Sequence, residues 1–127
     1  MQKYAAVAEG LHRAWLEDKS EVCDQSIAAH LDKADYPAGH CHQNAKNYAL
    51  RHPGATIVQG WLWVYGHAWV RHSVIRTAEG RLVDVTLGPG NPWIFVSHQM
   101  IAHLCDVGFS SMPVQIQNID ETTGPLQ

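Results

Sequence analysis

No stretch of this sequence approaches the roughly 18 consecutive apolar residues that a membrane-spanning helix requires. It has no arginine- or lysine-rich block, and with a formal net charge of −3 it lacks the basic stripe of a nucleic-acid binder. Charge of either sign is scarce at 17%, against a usual quarter, so much of the chain is expected to be packed. The three cysteines (Cys23, Cys41, Cys105) are odd in number and contain no CxxC pair, which excludes a disulfide framework and a thiol-rich zinc knuckle. The apolar run near Met1 is too short for a secretory signal and is broken by Glu9 and His12. The expectation is therefore a cytoplasmic protein with reduced thiols. With no repeat, low-complexity segment or linker, residues 1–127 are expected to form a single domain with its own core. No cofactor, bound metal, nucleic-acid or membrane partner is expected, although the histidine content raises the odds of a metal or of proton-transfer chemistry.

What the sequence does have is nine histidines and five tryptophans. Residues 3–18 carry Val7, Leu11, Ala14, Trp15 and Leu16 at helical spacing. Ser20 reads as the N-cap of a second helix with Val22, Cys23, Ile27 and Leu31 on one side. After the Asp35–His40 turn, a third helix is predicted from Cys41 to Leu50, stopped by His52-Pro53-Gly54. β-Branched and aromatic residues predict strands over 56–65, 67–76 and 81–87, and a short one over 93–96. Residues 88–92 read as loop, Ser97 as the cap of a helix through Met100, Ile101 and Leu104, and 112–119 as an edge strand. The tail from Asp120 is polar. Helices first and an antiparallel sheet afterwards describe an α+β domain, its N-terminal helices packed on a small antiparallel sheet.

The chemistry concentrates between residues 39 and 86. A cysteine is a weak nucleophile until ionised, and a place in the first turn of a helix lowers its pKa. Cys41 has such a place, behind Gly39, with helix-start N–H groups available for an oxyanion. The stretch Thr77-Ala78-Glu79-Gly80-Arg81 fits a three-residue hairpin loop with Gly80 left-handed. That register sets Asp84 opposite Val74 and makes His72 and Asp84 diagonal neighbours on one face. Cys41 as nucleophile, His72 as base and Asp84 as orienting carboxylate then form a triad. Asn44, one turn beyond Cys41, is a candidate substrate contact or a helix-packing residue. Gln59, which would reach His72 if residues 56–76 form a tight hairpin, and Trp61 are further candidate substrate contacts. His98 either lines the cleft or sits at the surface, and Trp61, Trp63, Trp69 and Trp93 are either cleft walls or core. His40 and His42 flank the cysteine, where they either tune it or are solvated. Cys23 and Cys105 read as packing residues.

The stretch from Cys41 to Thr86, about a third of the chain, resembles the transglutaminase-like branch of the papain-like cysteine enzymes. The matching pieces are Cys41 opening a helix, Gly60-Trp61, His67-Ala68-Trp69-Val70 followed by His72-Ser73-Val74, and Asp84-Val85-Thr86. The resemblance implies a papain-like core and acyl-transfer chemistry on an amide through a thioester, by hydrolysis (peptidase, amidase, deamidase) or transfer to an amine. The substrate is then a peptide or other amide-containing molecule. The family motif falls on His67 whereas hairpin parity selects His72, so the base stays open between them. Val85 stands where the family has proline, and no tryptophan or glutamine lies just upstream of Cys41.

Two other readings compete. His40, Cys41, His42, His67, His72, His98 and Asp84 are all zinc-competent, although no H-E-x-x-H or i,i+4 histidine pair is present. The chain is otherwise a binding or accessory module with a degenerate triad.

Overall fold

Why the first amphipathic stretch folds as it does is visible in what it covers. The computed structural model describes residues 4–64, 68–86 and 94–117. Helix α1 (Ala5–Leu16) buries Val7, Ala8, Leu11 and Ala14. They pack onto Trp61, Trp63, Trp69, Val96, Ile101 and Ile116. The His12 ring meets both Trp63 and Trp69 edge-on, at centroid distances of 4.9 and 5.6 Å. Of the tryptophans expected as either cleft walls or core, three are core here: Trp61 and Trp69 are wholly buried and Trp63 nearly so.

The second helix expected from Ser20 does not form. Its place is taken by strand β1 (Glu21–Val22) and a single 3-10 turn, Ala28–His30. Long-range partners outweigh weak helical propensity here. Both Glu21 carboxylate oxygens accept from Arg76, at 2.7 and 2.8 Å. Asp24 exchanges main-chain hydrogen bonds with the β4 region: its N–H donates to Leu82 O and its carbonyl accepts from Asp84 N–H. Its side chain accepts the Ser26 N–H, the local competition that makes Asp a poor helix residue. The supposed apolar face is split accordingly, with Cys23 buried and Val22 68% exposed.

Helix α2 (Cys41–Arg51) forms where expected. Strands β2 (Thr56–Val64) and β3 (Ala68–Arg76) pair along their whole length, from Thr56 opposite Arg76 to Val64 opposite Ala68. The β3 hairpin to β4 (Leu82–Val83) has the expected loop: Thr77 N–H donates to Arg81 O and Gly80 has φ +89°. Strand β4 is shorter than the expected 81–87. At Asp84 the chain turns, with the Thr86 N–H bonded to Asp84 Oδ1 at 3.0 Å, a side-chain turn in place of a ladder.

Strand β5 (Ile94–Ser97) lies beside β2. Ser97 Oγ does accept the Gln99 N–H, but it opens two 3-10 turns, His98–Met100 and Ala102–Leu104, instead of the expected α-helix. Strand β6 (Gln115–Gln117) is the central part of the expected edge strand. The sheet order is β1-β5-β2-β3-β4, with β6 also on β3, and all strand pairs are antiparallel. The fold is α+β, with α1 and α2 as the α-helices of the described residues. The expected 88–92 loop, Trp93 and the polar tail lie outside those residues. Among them, no helix is long and apolar enough to cross a membrane.

Candidate active site

The outer side of β3 is covered by two short strands that do not meet. Strand β4 pairs with Ile75 and Arg76, and β6 with Ala68 to Val70; Arg71 N–H then donates to Val114 O. Main-chain groups of alternate residues point the same way along a strand. The N–H of Ser73, between Arg71 and Ile75, therefore faces outward into the gap. The start of α2 fills that gap. The Cys41 sulfur lies near enough to the Ser73 N–H and the His72 ring for both to favour its thiolate.

His72 and Asp84 meet as the hairpin register requires. His72 Nε2 lies 3.0 Å from each Asp84 carboxylate oxygen. An ionised carboxylate only accepts, so Nε2 carries a proton and Nδ1 is the nitrogen left for Cys41. Asp84 is completely buried. Beyond His72 it accepts from the Thr86 N–H at 3.0 Å and from Gln25 Nε2 at 2.9 Å. A buried carboxylate with that many donors is fixed in one orientation.

The electrostatics follow from this contact. Burial alone pushes the Cys41 thiol up, but the hydrogen bond and charge of His72 and the Ser73 N–H outweigh it, and the thiol is held below its ordinary value. Burial disfavours the His72 cation, yet hydrogen bonds to Asp84 and Cys41 hold its pKa well above the ordinary imidazole value. The other two thiols go the opposite way. Burial and the nearby carboxylates of Asp84, Asp24 and Glu21 raise Cys23, and burial with Asp106 raises Cys105.

A cavity of about 580 Å³ opens over the sulfur, within the size range of ligand pockets. The start of α2 (Gly39 to Gln43) forms one side. Gln59 on β2, Val70 to Ser73 on β3, Thr86, and Phe109, Ser110 and Val114 complete its lining. Gln59 thus lies where a substrate contact was expected. Asn44 does not: it is buried and its amide nitrogen donates to Pro37 O and Thr86 Oγ1, both at 2.9 Å. It ties the turn before Cys41 to the residues after Asp84, which is the packing role of the two expected for it. Trp61 is likewise no substrate contact; it is buried in the core and its indole N–H donates to His98 Nδ1 at 3.2 Å. His98 is outside the cavity lining, behind Phe109, with ring centroids 5.0 Å apart. Burial lowers its pKa.

His40 and His42 both line the cavity, and His42 Nδ1 is 3.1 Å from Ser73 Oγ. His67 lies outside the described residues, whereas His72 occupies the position between Cys41 and Asp84. Among the described residues no three His, Cys, Asp or Glu side chains are grouped as metal ligands.

Two residues of the site gave no usable signal in the sequence. Gln25 fell in the stretch assigned to a helix, and Arg71 is one strand residue among nine. No known family, curated protein or solved structure matches this chain.

Proposed function

We propose that this chain is a cysteine-dependent hydrolase or acyl transferase acting on an amide bond, built on a papain-like, transglutaminase-like core. The observation that carries the reading is the His72 ring, held on one side by a buried Asp84 and facing a thiol of lowered pKa on the other. A thiolate–imidazolium pair of this kind is the resting state of an activated cysteine.

The reaction follows from the groups present. The Cys41 thiolate attacks the amide carbonyl carbon, and the carbonyl π pair moves to oxygen. N–H groups at the start of α2, where no intrahelical acceptor exists, stabilise that oxyanion. As the C–N bond breaks, His72 gives its Nδ1 proton to the leaving nitrogen and an acyl thioester on Cys41 remains. Water or an amine then attacks the thioester while His72 takes its proton. The C–S bond breaks, returning the thiolate and imidazolium. Asp84 holds the imidazole in the tautomer both steps need. A cytoplasmic setting, where thiols stay reduced, belongs to this reading.

The test is to incubate the protein with a panel of acyl-amide probes and look for an acyl adduct by mass spectrometry. Wild type should form a hydroxylamine-sensitive adduct mapping to Cys41, and Cys41→Ala none. Asp84→Asn should slow its formation by about 10³-fold or more, the order seen when an orienting carboxylate is neutralised. An adduct at Cys23 or Cys105 instead, or none with a folded wild type across the panel, would refute the reading.

A further inference from the structure

The cavity carries a fixed positive charge beside the candidate nucleophile. Five arginines occur in the sequence, and four have carboxylate partners: Arg13 with Glu9, Arg51 with Asp35, Arg76 with Glu21 and Arg81 with Asp24. The fifth, Arg71, has no carboxylate partner among the described residues, and it lines the cavity. Its Nη1 donates to the carbonyls of Phe109 at 3.3 Å, Ser110 at 2.8 Å and Met112. Its guanidinium also rests 5.9 Å from the Phe109 ring centroid. These contacts lock the side chain in place without neutralising it, and they engage one edge of the guanidinium fork. Nη2 and Nε have no acceptor among the described residues. Among the described residues, no Asp or Glu lines the cavity.

The position of Arg71 says which part of a substrate it would meet. Arg71 and Ser73 are two residues apart on β3, hence on one face and about 7 Å apart along the strand, and Ser73 supplies the backbone donor to Cys41. We propose that Arg71 is a specificity-determining residue that pairs with a carboxylate of the substrate lying about one residue from the amide that Cys41 attacks. Guanidinium and carboxylate match as planar forks, and a free fork edge in a low-charge cleft selects that group over neutral isosteres. Val70, Phe109 and Val114 add apolar residues to the lining of the same cavity. The inference rests on the proposed activated thiol, and it names the chemistry that thiol serves.

Alkylation tests it without a known substrate, since the thiolate displaces halide from an electrophilic carbon, forming a C–S bond as the carbon–halogen bond breaks. Rates at Cys41 are read by peptide mass spectrometry for iodoacetate against iodoacetamide, and for N-chloroacetyl-glycine against N-chloroacetyl-glycinamide. N-chloroacetyl-aspartic acid α-amide carries the carboxylate on a side chain. The anionic-to-neutral rate ratio at Cys41 should exceed that of N-acetylcysteine by about tenfold at low salt and fall as salt is added. Arg71→Gln should remove most of that excess, and Arg71→Lys should keep much of it. Preference for chloroacetyl-glycine identifies a chain-terminal carboxylate, and preference for the aspartic derivative identifies a side chain; either supports the proposal. Should Arg71→Gln fail to fold, the chloroacetyl pair on wild type still decides, because its carboxylate lies a residue beyond the carbon next to His72. A ratio equal to that of N-acetylcysteine, or one unchanged in folded Arg71→Gln, overturns the proposal while leaving the thiol reading standing. If no reagent modifies Cys41 below pH 8, the thiol reading fails and takes this one with it.

Discussion

Cys41, Cys23 and Cys105 are chemically one residue type in three environments, and their order of reaction is fixed by what surrounds them. A thiolate forms as pH rises through the pKa, so a lowered pKa means reaction at lower pH. Cys41 is lowered by His72 and the Ser73 N–H, while Cys23 and Cys105 are raised by burial and neighbouring carboxylates. Iodoacetamide titrated against pH should therefore modify Cys41 first, with Cys105 and then Cys23 requiring more alkaline solution; mass mapping of the three peptides reads this directly. Gln25 offers a second check. Its amide holds Asp84 Oδ2 at 2.9 Å without touching the cavity lining. Gln25→Ala should move the Cys41 alkylation profile toward alkaline pH, because a less constrained Asp84 supports the His72 cation less well. Gln25→Glu, which sets a second carboxyl group against Asp84, should disturb it in a different way. A purely structural role would lower the melting temperature and leave the profile where it was.

At the scale of elements, the β2–β3 pairing depends on a residue with no side chain. Gly60 stands opposite His72 on one side and Ser97 on the other. A Cβ there would come 2.3 Å from Phe95 Cζ and 2.5 Å from the Val96 carbonyl oxygen. The backbone oxygen cannot step aside, so Gly60→Ala should cost about 1–3 kcal/mol or more, in the range of core overpacking. Chemical denaturation against wild type measures it. Elements whose pattern is local were legible in the sequence: α1 and α2 from helical spacing and a terminal turn, β2 and β3 from β-branched runs, the 77–81 loop from one glycine. That loop carried the most information, because its length fixed the register and so placed Asp84 next to His72. Residues 20–31 depart from their helical pattern, since Glu21 and Asp24 take their structure from Arg76, Leu82 and Asp84, more than fifty positions away. The fates of Asn44 and Trp61 were unreadable for the same reason. Both are polar or amphipathic groups beside the site whose partners, Thr86 and His98, are remote in sequence.

For the whole molecule, the pH dependence of stability follows from the buried pair. The folded-state pKa of His72 is raised above its ordinary value of 6.5. Folding therefore favours its proton, and that contribution is fully present below about pH 6.5, the unfolded imidazole value. It is lost progressively as pH rises from there through the folded value. Melting temperatures of wild type and His72→Gln measured from pH 6 upward should show a wild-type advantage that shrinks with rising pH. The α1 layer is the other global determinant. Leu11 is wholly buried against the tryptophan cluster, and Leu11→Ala should cost about 2–5 kcal/mol, the usual range for a buried leucine.

The seam between β4 and β6 has a consequence for heredity as much as for chemistry. The group that favours the Cys41 thiolate there belongs to the polypeptide backbone, so a substitution at position 73 small enough for this buried site leaves it in place. Serine can be exchanged for alanine at the cost of the His42 contact alone, whereas proline, the single coded residue without that hydrogen, would strip the sulfur of its support.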